Sequence, residues 1–206
     1  MTRGLQLGAL LVLSAGTAMP AAAQHTSGLS FELSAAYRTA DDSLLAHLIN
    51  PAPPIPTVYF RGLGMGVGLD AEARYTWDRW SVGAAVQHTI HGIDNVIEHL
   101  HFTSVGLEPR YAVPFGSVSA YVSGHVARLS YRVASGGDEQ SAHGVAFGGG
   151  AGVLVPFWPT VRLRVAVTYS RASLGDPELN GSRVSPASRD GPLLSLQIGL
   201  AARLGR

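Results

Sequence analysis

Downstream of residue 28, apolar and polar positions alternate with a period of two in one segment after another. That period matches extended strands whose successive side chains fall on opposite faces. The pattern predicts eight strands: 29–39, 61–75, 80–90, 102–113, 118–131, 143–155, 161–170 and 194–204. The second is the most regular. Leu63, Met65, Val67, Leu69, Ala71, Ala73 and Tyr75 interleave with Gly62, Gly64, Gly66, Gly68, Asp70, Glu72 and Arg74. The fifth keeps its alternation only to about Arg128, where the apolar set changes parity, so a bulge is expected there. Pro109 sits inside the fourth strand, where it removes one ladder donor.

The connections alternate in length. Short links are expected at 76–79, 114–117 and 156–160, and longer polar or proline-rich ones at 40–60, 91–101, 132–142 and 171–193. In the first long link, Leu44 to Ile49 reads as a short amphipathic piece followed by the Pro51 to Pro56 run. An even strand count, strands near ten residues and alternating tight and long connections are the requirements of a transmembrane β-barrel. The expected fold is therefore all-β, an eight-stranded antiparallel up-and-down transmembrane barrel in one domain.

Composition narrows the choice. Charged residues make up 14% of the 206, against roughly a quarter in soluble domains. All 15 basic residues are arginine, balanced by 14 acidic ones, which leaves no basic excess for nucleic acid. Zero cysteine excludes disulfide scaffolds and thiol chemistry. A soluble barrel would turn its charged face outward. Here the polar face is Gly, Ser, Ala and a few charges, small enough for a narrow lumen, and the apolar face suits lipid. Two aromatic belts are expected. Tyr75, Trp77, Trp80, Tyr111, Phe115, Phe157 and Trp158 lie by the short turns; Tyr37, Tyr59, Phe60, Phe102, Tyr131 and Tyr169 lie by the long loops. At the start, Arg3, the apolar run Leu5 to Ala15 and the small residues Ala21 to Ala23 read as a secretory signal over 1–23, leaving a barrel of 24–206.

With its signal, eight strands and amphipathic final strand LSLQIGLAARLGR, the chain resembles the small outer-membrane β-barrels of the OmpA transmembrane-domain and OmpX kind. The family usually ends in an aromatic read by the barrel-assembly machinery. Here Leu204 stands in that role, with Gly205 and Arg206 beyond it. The resemblance implies a monomer in the outer membrane of a Gram-negative-type bacterium. Its partners would be outer-membrane lipids, lipopolysaccharide and, during insertion, that machinery, and it would have a structural or surface-interaction role without a cofactor.

Aligning the strands by their turns brings Glu32, Asp70, Glu72, Arg74, Glu108, Arg110, Arg162, Arg164 and Arg203 into one inward cross-section near the short turns, with Arg38 alone near the loops. Inward charges must pair, so this set predicts a network that plugs the lumen. On the loop side, Gly62, Gly64, Gly66, Gly68, Gly148, Gly150 and Gly152 remove bulk. They mark either tight curvature or a vestibule, edged by Tyr121 and His125, for a small apolar or lipid ligand. His88, His91, His99 and His101 bracket one loop without the fixed scaffold a metal site needs. Ser123 and His125 share a face, as a lipid A deacylase or acyltransferase would require, but no acid stands in sequence to orient the base. No catalytic residue is assigned.

Overall fold

The computed structural model describes residues 27–40, 63–93, 99–135, 138–183 and 189–204. Eight long strands follow one another: β1 (Gly28–Ala40), β2 (Leu63–Trp77), β3 (Trp80–Ile93), β4 (His99–Phe115), β5 (Val118–Ser135), β6 (Asp138–Trp158), β7 (Val161–Leu174) and β8 (Arg189–Leu204). Each pairs antiparallel with its sequence neighbour, and β1 pairs with β8, from Leu29 opposite Leu204 to Ala40 opposite Leu193, closing the barrel. The expected signal segment, Tyr59, Phe60, Gly62, the Leu44 to Ile49 and Pro51 to Pro56 pieces, and Gly205 with Arg206 lie outside the described residues.

Two-residue turns join β2 to β3 at Asp78 and Arg79, β4 to β5 at Gly116 and Ser117, and β6 to β7 at Pro159 and Thr160. Asp78 and Gly116 take positive φ, 54° and 61°, a conformation that Gly and the short polar side chain of Asp tolerate best. At the other end the strands run on further than the alternation predicts. The ladder of β5 and β6 continues to Ser135 opposite Asp138, so the expected link 132–142 is mostly hairpin. The expected link 171–193 contains a small hairpin, Glu178–Leu179 with Ser182–Arg183, turned by Asn180 and Gly181, both at positive φ. Asn-Gly is the preferred pair for such a turn. Because β7 ends opposite Gly144, the edge of β6 above it is open, and this hairpin adds to it at Gln140 and Ser141. Covering a strand edge satisfies its backbone groups and prevents unwanted pairing.

The parity of β5 does not change. Its register with β4 is constant from Leu100 opposite Val133 to Phe115 opposite Val118, omitting only Glu108 and Pro109, so no bulge forms at Arg128. What changes is the polarity of the two faces. Between the turns and the middle of the wall, outward residues are apolar and exposed, among them Leu33, Val67, Val86, Leu107, Val126, Val167 and Ile198. The inward ones are polar or small. Toward the loop end of β4 to β7 the arrangement reverses: His101, Arg132, His143 and Arg171 face outward and are exposed. Leu100, Phe102, Leu129, Tyr131, Val133, Ala142, Ala146, Ala172 and Leu174 pack together inside. Phe102 and Tyr131, expected in the loop-side belt, are therefore interior, 4% and 2% exposed, with ring centroids 4.8 Å apart. An outward apolar face needs lipid, whereas an outward polar face over an apolar core needs water. The reversal marks where these strands leave the bilayer. The other belt stands where expected: Tyr75, Trp77, Trp80, Phe115, Phe157 and Trp158 are exposed beside the short turns.

Candidate functional site

Six of the predicted inward charges meet in the lumen. Glu32 comes from β1, Glu72 and Arg74 from β2, Glu108 and Arg110 from β4, and Arg164 from β7, and all six are buried. Arg110 donates both terminal nitrogens to Glu32, Nη1 to Oε1 at 2.8 Å and Nη2 to Oε2 at 3.1 Å. Its Nη2 also reaches Glu108 Oε1 at 3.0 Å. Arg74 Nη2 pairs with Glu72 and with Glu108 Oε1 at 3.0 Å, while its Nη1 donates to Ser81 Oγ at 2.9 Å. Arg164 Nε donates to Tyr121 Oη at 2.8 Å and lies 3.5 Å from Glu32 Oε2. Tyr121 also carries the Arg110 guanidinium over its ring at 4.1 Å from the centroid. Three carboxylates thus face three guanidiniums, and the forked geometry of arginine lets each one serve more than one partner.

Gly83 explains how Arg74 spans from β2 to β4. It lies opposite both Arg74 and Glu108 on the intervening strand, and a Cβ there would overlap the Glu72 side chain. The network occupies the space that this missing side chain leaves. Nothing in the period of two distinguishes Gly83 from other inward glycines, so its role is visible only in the folded wall.

The remaining predicted charges separate from this cluster. Asp70 pairs one layer above with Arg38, which also donates to Thr89, so Arg38 is buried and not alone. Arg162 and Arg203 are exposed at the short-turn mouth. There Arg162 Nη1 reaches Ser119 Oγ at 3.5 Å and Arg203 Nη2 reaches the Ser27 carbonyl at 3.4 Å. Alternation assigned them correctly to the inward face, but they stand too close to the strand ends to be covered.

Among the described residues, the inward glycines are packed against side chains and backbone of the neighbouring strands. Gly66 lies against the His91 ring, Gly68 against Thr89 and the His88 carbonyl, Gly148 against Ser170, Gly150 against Thr168 and Gly152 against the Tyr121 ring. Gly64 belongs to β2 near the bulge that shifts the register between Leu63 and Gly66. In a narrow barrel, inward neighbours on adjacent strands crowd, and glycine lets each pair fit. Between the charge layer and the apolar interior there remains a cavity of about 30 Å³, bordered by Arg38, Glu108, His125 and Ser195 among others. That is room for about one or two waters. Ser195 Oγ has no protein hydrogen-bond partner, and a water there would satisfy it. Ser123 Oγ is likewise buried without a partner, so it is not hydrogen-bonded to His125. His88 and His101 face outward with rings 5.6 Å apart, His88 hydrogen-bonding Thr103 at 3.0 Å, while His91 is buried in the lumen.

Among the described residues a larger space than this cavity lies at the opposite end. A recess of about 810 Å³ opens between the short turns, with Glu32, Arg74 and Arg110 at its floor and Arg79, Arg162 and Arg203 along its sides.

A closed antiparallel barrel with an apolar outer belt and a polar, filled lumen defines an integral membrane barrel of the bacterial outer-membrane class. Residues 8–186 match the outer membrane protein beta-barrel domain, and the chain belongs to that family. Among solved structures it is similar to Neisserial surface protein A, with 16% identity over 87% of this chain and 99% of that one, and a TM-score of 0.63. It is also similar to the outer membrane protein AlkL determined in lipid bilayers, with 11% identity over 88% of this chain and 92% of that one, and a TM-score of 0.51. These identities speak to the fold alone. No curated protein matches the chain. The protein is an outer-membrane β-barrel.

Proposed function

We propose that this barrel is a closed, membrane-anchored support whose loop-side extension presents a structured surface outside the cell, and that it reaches the outer membrane through a cleaved leader. The observation that carries this reading is the polarity reversal along β4 to β7. Above the lipid boundary these strands continue as a water-facing sheet over their own apolar core, with β6 alone 21 residues long against the roughly ten needed to cross. Ordering so much chain beyond the bilayer serves no anchoring purpose, but it fixes the position of a surface. The six-charge cluster below supports a closed lumen, since its members lie within ion-pair reach of one another and Tyr121 packs against them.

The absence of cysteine makes the test simple. Single cysteines placed at Arg132 and at Ser117 are exposed to a membrane-impermeant maleimide on intact cells. Arg132→Cys is expected to label and Ser117→Cys to label only after the outer membrane is permeabilised. Labelling of Ser117→Cys alone on intact cells overturns the proposed orientation, and labelling of neither on intact cells overturns the surface role.

A further inference from the structure

We propose that the outer wall of β3 to β6, just above the apolar belt, holds the phosphate of a lipid in the loop-end leaflet. This rests on the water-facing extension described above, because the polarity reversal sets the height of the headgroups, but not on which compartment the loops enter. The strand register gathers the site. His88, Thr103, Ser130 and His143 stand directly opposite one another across four strands, all on the outward face. On β5, Arg128 and Arg132 lie two residues to either side of Ser130, so they share its face and bracket it. Thr103 and His88 Nδ1 are hydrogen-bonded at 3.0 Å, which ties that ring to the row.

Arg128 is the member most in need of a partner. Its neighbours across the ladder are Val105 and Val145, both exposed on the apolar belt. It is itself exposed, and it makes no ion pair or hydrogen bond with the described residues. A guanidinium at the edge of hydrocarbon extends its stem toward the headgroup layer, where its planar fork fits phosphate oxygens. Arg132 Nε lies 2.9 Å from Glu139 Oε1, but both side chains are exposed and a guanidinium carries five N–H donors, so this pair leaves donors for a second anion. Among the described residues, no outward position within 86–90, 101–107, 126–132 or 143–147 is acidic. Arg171, further round on β7, belongs to a separate pair with Asp190 at 3.6 Å. On the far wall, toward the loops, the outward residues Leu194, Tyr37 and Val67 continue the apolar belt. The belt also selects a lipid over a free anion. Val86, Val105 and Val145 stand in one row with Arg128, so a phosphate held here carries its acyl chains down an apolar wall.

The experiment uses the full mature chain in phosphatidylcholine nanodiscs into which dioleoyl phosphatidic acid is titrated, read through the backbone amide signals. Saturable movement is expected at Thr103, Ser130 and His143, with Leu194 and Leu196 on the far wall unmoved. Arg128→Gln is expected to weaken the response about tenfold, the loss of one charge-assisted contact. Arg162→Gln, the same change of charge at the short-turn mouth, is expected to leave it unchanged. Arg128 has no partner in the fold to lose, so its variant keeps heat-modifiable migration on gels and a loss of binding is not a loss of structure. Oleic acid in place of phosphatidic acid supplies a carboxylate, and an equal response to it overturns the choice of phosphate. Inorganic phosphate in the aqueous phase separates the sources: full movement of the same signals by phosphate alone overturns the lipid. Equal movement on both walls, or a response indifferent to Arg128→Gln, overturns the site. A spin label on the lipid tail tests the boundary separately and is expected to broaden Val105 and Val126 but not Arg132. Broadening of Arg132 overturns the extension and the site together, whereas a correct boundary without a response to phosphatidic acid overturns the site alone.

Discussion

Removing one guanidinium from the buried cluster leaves carboxylates facing each other across a narrow lumen. Arg110 bonds Glu32 twice and Glu108 once. Breaking a buried pair from one side costs about 3–5 kcal/mol, because the surviving charge remains buried without compensation. Arg110→Ala is therefore expected to lower the denaturant midpoint in detergent or vesicles by that much. Arg162→Ala, at the exposed mouth, is expected to change stability by no more than about 0.5 kcal/mol. Equal losses would mean that the cluster does not hold the barrel together. Both arginines occupy the inward face of alternating strands and look alike in sequence. Alternation reports the face of a residue, while burial depends on its height along the barrel, which strand ends alone locate poorly.

In β5 the same distinction acts over a whole strand. Its inward positions run Tyr121, Ser123, His125, Ala127, Leu129, Tyr131 and Val133, polar or small below and mostly apolar above. In sequence this reads as a slip in register near Arg128, because a hydrophobic residue is assumed to lie on the lipid face throughout. The register with β4 shows that geometry is continuous and that the solvent outside changes. Leu129, 1% exposed within the upper core, discriminates between the two. If it faced lipid, truncation would remove a membrane contact and leave no void. Inside a packed cluster, Leu129→Ala is expected to cost about 2–5 kcal/mol by transfer and cavity terms, read from the same denaturant curves. A negligible change would place it outside. The Asn180-Gly181 hairpin was legible in principle from its dipeptide, but its docking partner was not, since the open edge of β6 exists only because β7 is shorter.

The molecule as a whole divides into layers along its axis: a recess between the turns, an ion cluster, a water-sized cavity and an apolar cap. Eight strands, antiparallel closure and the outer apolar belt followed from period two together with the alternating link lengths and the low charge content, because a closed wall between two environments imposes that period everywhere. The contents of the lumen did not follow. Among the described residues a recess opens at the short turns, and the inward glycines accommodate neighbours on the adjacent strands, one of the two readings that glycine placement left open.

The pairing of the first strand with the last carries a consequence for the order of synthesis. Leu29 lies directly opposite Leu204, so the ring has no structural beginning. Every strand, including these two, has antiparallel partners on both sides. A circular permutant that joins the described ends by a short linker and opens between Gly116 and Ser117, behind an appended export signal, should therefore build the same barrel. Its folded fraction and heat-modifiable migration are expected to match the parent. Failure of the permutant would show that the strand delivered last carries information for insertion that the finished ring does not display.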